Sequence, residues 1–328
     1  MTAIGVIGVG HLGSLHAKML AAIPDVTFGG VTDADASKAA ALAAELKTQV
    51  FPTMDALLDR VEAVTVAAPT SAHHAIALHA LKRGKHVFVE KPITETVAQA
   101  EELCSAAAAG KLVLQVGHVE RFNPAILALE SYRLAPMFVE SHRLAQFNPR
   151  GTDVAVVLDL MIHDIDLILS FVQSPVKQVD ASGIAVVSDS VDIANARLQF
   201  DNGCVANVTA SRISQKKMRK MRLFQQNGYI SIDFSQGIAE VFRLVESEDE
   251  HIEGTLMLGE LGSGKHRRKI VYEQPEVKEV NALRYELESF ARCIARGERP
   301  IVSGDDGRRA LEVANLILRK IEEQKIAL

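Results

Sequence analysis

The sequence predicts an α/β protein of two domains. Residues 1–120 form a doubly wound parallel sheet, and residues 121–328 form a second α/β domain with an open, mostly antiparallel sheet. Two observations carry this. In the first third, short continuously apolar runs alternate with helical periodicity, the pattern of strands buried on both faces. Beyond about residue 120, strand-like runs follow one another through tight turns. A length of 328 residues suits two domains.

Taken in order, Ala3–Gly8 is a short apolar strand, and His11–Ile23 is a helix with Leu12, Leu15, Met19, Leu20 and Ile23 on one face. Val26–Thr32 is a second strand and 35–46 an Ala-rich helix. Glu62–Ala68, His86–Glu90 and Lys111–Gly117 read as strands, with Ser71–Arg83 and Thr96–Ala109 as the helices between them. Gly84 is placed to end the first of these helices, and Thr96 with Gln99 to form a capping box for the second.

In the second part, Met137–Ala145, Val176–Val187, Val191–Phe200, Cys204–Ile213, Met218–Phe224 and Tyr229–Val245 are strand-like, and Asp201-Asn202-Gly203 carries hairpin-turn chemistry. Asp153–Val172 is long and apolar enough to suggest a membrane span, but it holds Asp153, Asp159, His163, Asp164 and Asp166. Each carboxylate would cost about 2.5–3.5 kcal/mol at mid-membrane, so the stretch reads as a buried helix stopped near Pro175. Glu246–Arg268 reads as a polar, Gly-rich loop. Val280–Arg296 and Asp306–Lys325 are terminal helices, free to pack back on the first domain.

The net charge of −5 argues against a nucleic-acid partner, which calls for a basic footprint. Cys104, Cys204 and Cys293 are too scattered for a disulfide framework or a zinc site and fit a reducing cytoplasm. No signal-peptide pattern is seen at Met1–Gly8, so a cytoplasmic protein without a membrane partner is expected.

Gly8-Val9-Gly10-His11-Leu12-Gly13 matches G-x-G-x-x-G in the context that gives the motif meaning, between a strand and a helix. The first glycine permits the turn, the second admits a pyrophosphate to the backbone, and the third lets helix and strand pack closely. Asp33, at the end of the second strand, is placed to accept hydrogen bonds from the ribose of NAD and to repel the 2′-phosphate of NADP; otherwise it is a turn or cap residue. Pro69, Thr70 and His73 follow the third strand in a second element that faces the nucleotide; alternatively Thr70 or Ser71 caps the next helix, or both hold.

Glu90-Lys91-Pro92 lies at the same sheet edge. Lys91 is either a solvated charge or a group beside the nicotinamide. On the acidic helix, Asp159 and His163 are four apart and Asp166 three further, on one stripe. They form a buried hydrogen-bonded pair that only stabilises the helix, or a dyad in which Asp159 orients His163 as a base.

Together, the glycine fingerprint, Pro69-Thr70-x-x-His73, Glu90-Lys91-Pro92 and Asp159-x-x-x-His163-Asp164 resemble the glucose–fructose oxidoreductase / inositol dehydrogenase / MocA family over essentially the whole chain. The resemblance implies a Rossmann domain, a sheet domain that pairs in homodimers or homotetramers, and hydride transfer between a sugar hydroxyl and NAD. It implies a catalytic Lys91 and a catalytic Asp159–His163 dyad.

Gly117-His118-Val119-Glu120-Arg121-Phe122-Asn123-Pro124 is similar to a nucleotide-sugar branch of that family, one acting at C3 of UDP-N-acetylhexosamines and feeding lipid A synthesis. His118, Arg121 and Asn123 then line a substrate cleft or only fix a hinge. The basic segment Arg212, Lys216, Lys217, Arg219, Lys220 and Arg222 offers a diphosphate site or a solvated strand face. Competing readings are an NAD-using glycosidase, a free cyclitol or aldose dehydrogenase, and a non-catalytic NAD-binding sensor.

Overall fold

Five short apolar strands build one sheet: Thr2–Ile7 (β1), Val26–Thr32 (β2), Ala63–Val66 (β3), His86–Glu90 (β4) and Leu114–Gly117 (β5), all parallel, in the order β2-β1-β3-β4-β5. The computed structural model describes residues 1–148, 154–246, 256–262 and 268–326. The chain divides into two units, Met1–Phe122 with Val280–Glu312, and Asn123–Glu279 with Val313–Leu328.

In the first unit, helices His11–Ala22 (α1), Ala36–Leu46 (α2), Met54–Leu58 (α3), Thr70–Lys82 (α4) and Val97–Gly110 (α5) link the strands. The Thr96/Gln99 capping box closes the start of α5 as expected. Gly84, at φ +71°, follows the end of α4. Helix α3, which the sequence reading did not anticipate, has too few residues to show periodicity; its start is capped by the Thr53 side chain. In α1 the buried face is Gly13, His16, Ala17 and Leu20, while Leu12 is exposed. The apolar stripe expected there is therefore rotated, and a histidine occupies the core.

Among the described residues, the second unit holds helices Pro124–Leu127 (α6) and Ile162–Val172 (α7) and nine strands. These are Phe138–Leu144 (β6), Val176–Ile184 (β7), Ile193–Phe200 (β8), Val205–Ser211 (β9), Met218–Gln225 (β10), Gly228–Asp233 (β11), Ile238–Glu246 (β12), Leu256–Leu261 (β13) and Arg268–Glu273 (β14). Their order is β13-β14-β12-β11-β10-β6-β9-β8-β7, antiparallel except for the central β6·β9 pair. The open, mostly antiparallel sheet is as expected.

Two local expectations fail here. Tyr229–Val245 is not one strand but a hairpin, broken where Asp233 accepts the Ser235 and Gln236 amides and Gly237 takes φ +65°. Within Glu246–Arg268, residues Leu256–Leu261 form an edge strand rather than a loop, with a register shift between Met257 and Gly259. Residues 247–255 and 263–267 of that predicted loop, and Asp153 of the acidic stretch, lie outside the described residues.

Helix α7 is buried almost all round by Ile162, Ile165, Leu167, Ile168, Leu169 and Val172 and packs on β6 and β9. No helix among the described residues is long and apolar enough to cross a membrane. Two C-terminal helices follow, Ala282–Arg296 (α8) and Gly304–Ile326 (α9). Helix α8 joins the core of the first unit, where Phe290 meets Phe88 edge to face at 5.8 Å.

Asp192, fully buried, gathers the amides of Val186, Val187 and Ser188 at 2.7–3.0 Å and the Ser188 hydroxyl at 2.7 Å. Burial pushes the carboxyl up, but these hydrogen bonds outweigh it and hold it well below the usual carboxylate range. Its stabilisation is therefore complete above the unfolded-state value near 4 and is lost as pH falls through the lower folded-state value. Asp192→Asn should flatten the acid limb of a circular-dichroism stability profile below about pH 4; an unchanged limb would remove Asp192 from acid unfolding.

Candidate functional site

Because β1 to β4 are parallel, the loops that follow them emerge at one edge of the sheet. That edge carries Gly8–Gly13, Asp33, Pro69, Thr70, Glu90 and Lys91. Gly8 has φ +88°, and a Cβ there would stand 2.8 Å from the Ala68 nitrogen. A Cβ at Gly13 would lie 1.8 Å from the Gly8 carbonyl oxygen, so only glycine permits this helix-to-turn contact. Gly10 has nothing within 4 Å of where its Cβ would be.

No side chain caps α1. Its first-turn N–H groups and partial positive charge are left for an anion, beside the exposed His11 and Leu12. Asp33 is half-buried; its Oδ2 accepts the Val9 amide at 2.6 Å and its Oδ1 the Asp35 amide at 2.8 Å. These bonds aim the carboxylate and leave each oxygen further acceptor capacity for ribose hydroxyls. The residues present fit an NAD pyrophosphate and ribose.

Pro69 and Thr70 stand at the start of α4. The His73 ring is buried behind them, between the Ala68 and Pro92 carbonyl oxygens at 2.9 Å each, where it ties two of these loops together. Glu90 is buried and bonded to His16 Nε2 at 2.9 Å, while Lys91 is half-buried beside it and followed by a cis Lys91-Pro92 bond. Sequence reasoning missed His16, whose only sequence signal is a polar residue on the side of α1 that Gly13 brings close to the strands.

In the second unit, Asp159 lies in a π-helical turn, Val157–Met161, that runs directly into α7, and His163 is the second residue of α7. Both are half-buried, whereas Asp166 is fully buried. The single α-helical stripe expected for the three is thus interrupted by wider i→i+5 winding, a feature frequent at functional sites. Asp164 faces the core, where its carboxylate takes two hydrogen bonds from Arg143, at 2.7 and 3.1 Å.

The remaining candidates are placed as follows. His118 is fully buried just after β5, and Arg121 is half-buried in the turn Val119–Phe122. The Asn123 side-chain oxygen caps α6 through the Ala125 amide. Arg212 is buried, its guanidinium donating to the Val154 carbonyl and lying 3.9 Å from Asp192. Within the basic segment, Lys220 meets Asp233 at 3.1 Å and Arg222 meets Glu140 at 3.4 Å, both from an exposed strand face.

Comparison with known proteins gives this geometry a family. The model of an oxidoreductase family with an NAD-binding Rossmann fold matches residues 2–118, and that of a GFO/IDH/MocA C-terminal domain matches residues 97–231. The chain is 39% identical over 311 residues to the UDP-N-acetylglucosamine 3-dehydrogenase of Acidithiobacillus ferrooxidans, covering 94% of each chain. The chain belongs to the GFO/IDH/MocA oxidoreductase family.

A solved structure of the Acidithiobacillus enzyme superposes with a TM-score of 0.87 at 37% identity, covering 98% of both chains. The myo-inositol 2-dehydrogenase of Thermotoga maritima is 25% identical over 98% of this chain and 97% of its own. A levoglucosan dehydrogenase in complex with NADH and levoglucosan, at 19% identity and TM-score 0.82, shares the fold over 98% of this chain and 97% of its own. This family member is an oxidoreductase with an NAD-binding Rossmann fold.

Proposed function

We propose that this oxidoreductase transfers hydride between the C3 hydroxyl of a UDP-N-acetylhexosamine and NAD. The observation that carries the reading is the similarity, over 94% of both chains, to a UDP-N-acetylglucosamine 3-dehydrogenase. NAD, when bound, supplies the hydride acceptor.

The protein supplies the rest. The glycine turn and the α1 N-terminus hold the pyrophosphate, and Asp33 accepts hydrogen bonds from the ribose hydroxyls. The Lys91 ammonium donates to the substrate oxygen and stabilises negative charge that develops there. His163 accepts the hydroxyl proton as hydride leaves the carbon, and Asp159 orients the imidazole. Where the reaction runs backwards, His163 returns the proton and Lys91 polarises the carbonyl.

The test is to incubate the protein with NAD and a panel of UDP-sugars and free polyols. NADH absorbance is followed with and without a 2-oxoacid as hydride acceptor. Reduction with UDP-N-acetylglucosamine supports the reading; reduction with free polyols alone overturns it. Asp33→Asn is expected to shift the NAD/NADP preference towards NADP by about tenfold or more, because like-charge contact with a 2′-phosphate costs several kcal/mol. Paired kcat/KM measurements with the two cofactors check this.

We further infer a homodimer or homotetramer formed through the outer face of the second unit's sheet. Phe138, Phe224, Tyr229, Phe242 and Tyr272 are direct cross-strand neighbours on β6, β10, β11, β12 and β14, with ring centroids 4.9–5.9 Å apart. All five keep partial exposure, and Phe224 is 37% exposed. Such an apolar band suits an interface.

A further inference from the structure

Glu90 ends β4 with 8% exposure, and a carboxylate so placed is costly unless its oxygens are bonded. Oε1 lies 2.9 Å from His16 Nε2, and Oε2 accepts the Lys91 backbone N–H at 3.2 Å. Space for it comes from Gly117, its partner across the β4·β5 ladder, where a Cβ would stand 2.8 Å from Oε2. The carboxylate is thus held between α1 on one side and a glycine made for it on the other.

His16 has no exposure and packs its ring edge to face on Phe88, centroids 5.3 Å apart. Its Nδ1 is buried with no hydrogen-bond partner among the described residues, so the ring supports one polar bond only. Donation from Nε2 to the carboxylate fixes that tautomer. Burial pushes the Glu90 carboxyl up, but the His16 hydrogen bond and the charge of Lys91 outweigh it and hold it below the ordinary range. Coulomb coupling is mutual, so the charge of Glu90 favours the ammonium form of Lys91.

The geometry points to His16 as a positioning residue for Lys91: by anchoring the buried Glu90 carboxylate, it fixes the Lys91 backbone and keeps a negative charge facing that side chain. The inference rests on the reading in which the Lys91 ammonium stabilises the substrate oxygen. It also gives α1 two tasks in one unit. The N-terminal turn receives the pyrophosphate, and the next turn, through His16, sets the reactive lysine.

The test uses the full chain labelled with 13C at lysine Cε. The Lys91 resonance is assigned by its absence in Lys91→Ala and titrated by NMR with no substrate present. In His16→Leu the Lys91 titration should move to lower pH. Its kcat with NAD and UDP-N-acetylglucosamine should fall about 10- to 100-fold, the scale of a small misplacement of a reacting group. KM and NAD affinity should change little. His16→Gln, which keeps a donor of similar reach, should recover most of both effects.

Gly117→Ala displaces the same carboxylate from the other side and should reproduce the shift, which covers the case in which His16→Leu fails to fold. A folded His16→Leu with unchanged Lys91 titration and unchanged kcat overturns the inference, as does equal loss in the Leu and Gln variants. Failure of the parent reading looks different: Lys91→Ala would retain turnover while the NMR titration still reported the coupling.

Discussion

Replacing Lys91 or His163 with Ala should lower turnover by about 10²–10⁴-fold or more, the usual contribution of positioned proton transfer, while NAD binding survives. The two variants are expected to fail for different reasons. Lys91→Ala removes a cation beside a buried carboxylate, so it weakens stabilisation of the developing charge and leaves the His16 hydrogen bond as the main group offsetting the burial of Glu90. His163→Ala removes the proposed proton acceptor without altering any residue of the glycine turn. Titration of NAD binding by fluorescence or calorimetry separates the outcomes: near-normal kcat in either variant removes that residue from the mechanism. Loss of NAD affinity in His163→Ala would show that the residue serves binding.

The glycine turn was legible because its three glycines answer three separate steric demands, and the structure meets each at a different atom: positive φ at Gly8, open space at Gly10, and the Gly8 carbonyl against Gly13. The place of Asp33 was legible for a different reason, since the apolar run before it ends at Thr32, where β2 ends. His16 was not. Hydrophobic periodicity assigns α1 an apolar face from its leucines, yet the side of the helix that meets the strands is set by Gly13, which places His16 and Ala17 inward and leaves Leu12 exposed.

The edge strand Leu256–Leu261 escaped although four of its six residues are large and apolar, because it is short and set within a polar, Gly-containing stretch of sequence. The acidic helix was legible as buried, but its π-turn was not, because one extra residue per turn leaves no mark in a run that is apolar on every side. The basic segment, open in sequence between a diphosphate site and a solvated strand face, is a different case. Dense in sequence, it is spread along the fold: Arg212 follows β9, Lys216 and Lys217 lie between the strands, Arg219, Lys220 and Arg222 lie on β10, and Arg212, Lys220 and Arg222 each meet an acidic residue inside the second unit.

Asp164 carries the second large prediction. It follows His163 directly, and its carboxylate and the Arg143 guanidinium are nearly inaccessible, at 2% and 6% side-chain exposure. Two ions desolvated together depend on each other, so Asp164→Ala leaves a buried guanidinium and should destabilise the second unit by about 3–5 kcal/mol in denaturant unfolding. Replacing both, as Arg143→Met with Asp164→Leu, should recover most of that loss, because an apolar pair of similar volume avoids the desolvation cost. Stability and turnover should then part company. The ion pair ties α7 to β6 through two directional hydrogen bonds, whereas an apolar pair would hold helix and strand together without specifying the rotation between them. The double variant is therefore expected to unfold near the wild-type midpoint yet turn over about tenfold or more slowly, since His163 would no longer be held in a single orientation. Wild-type kcat in a stable double variant would show that packing alone sets the helix, and that the charge pair next to His163 has no part in catalysis.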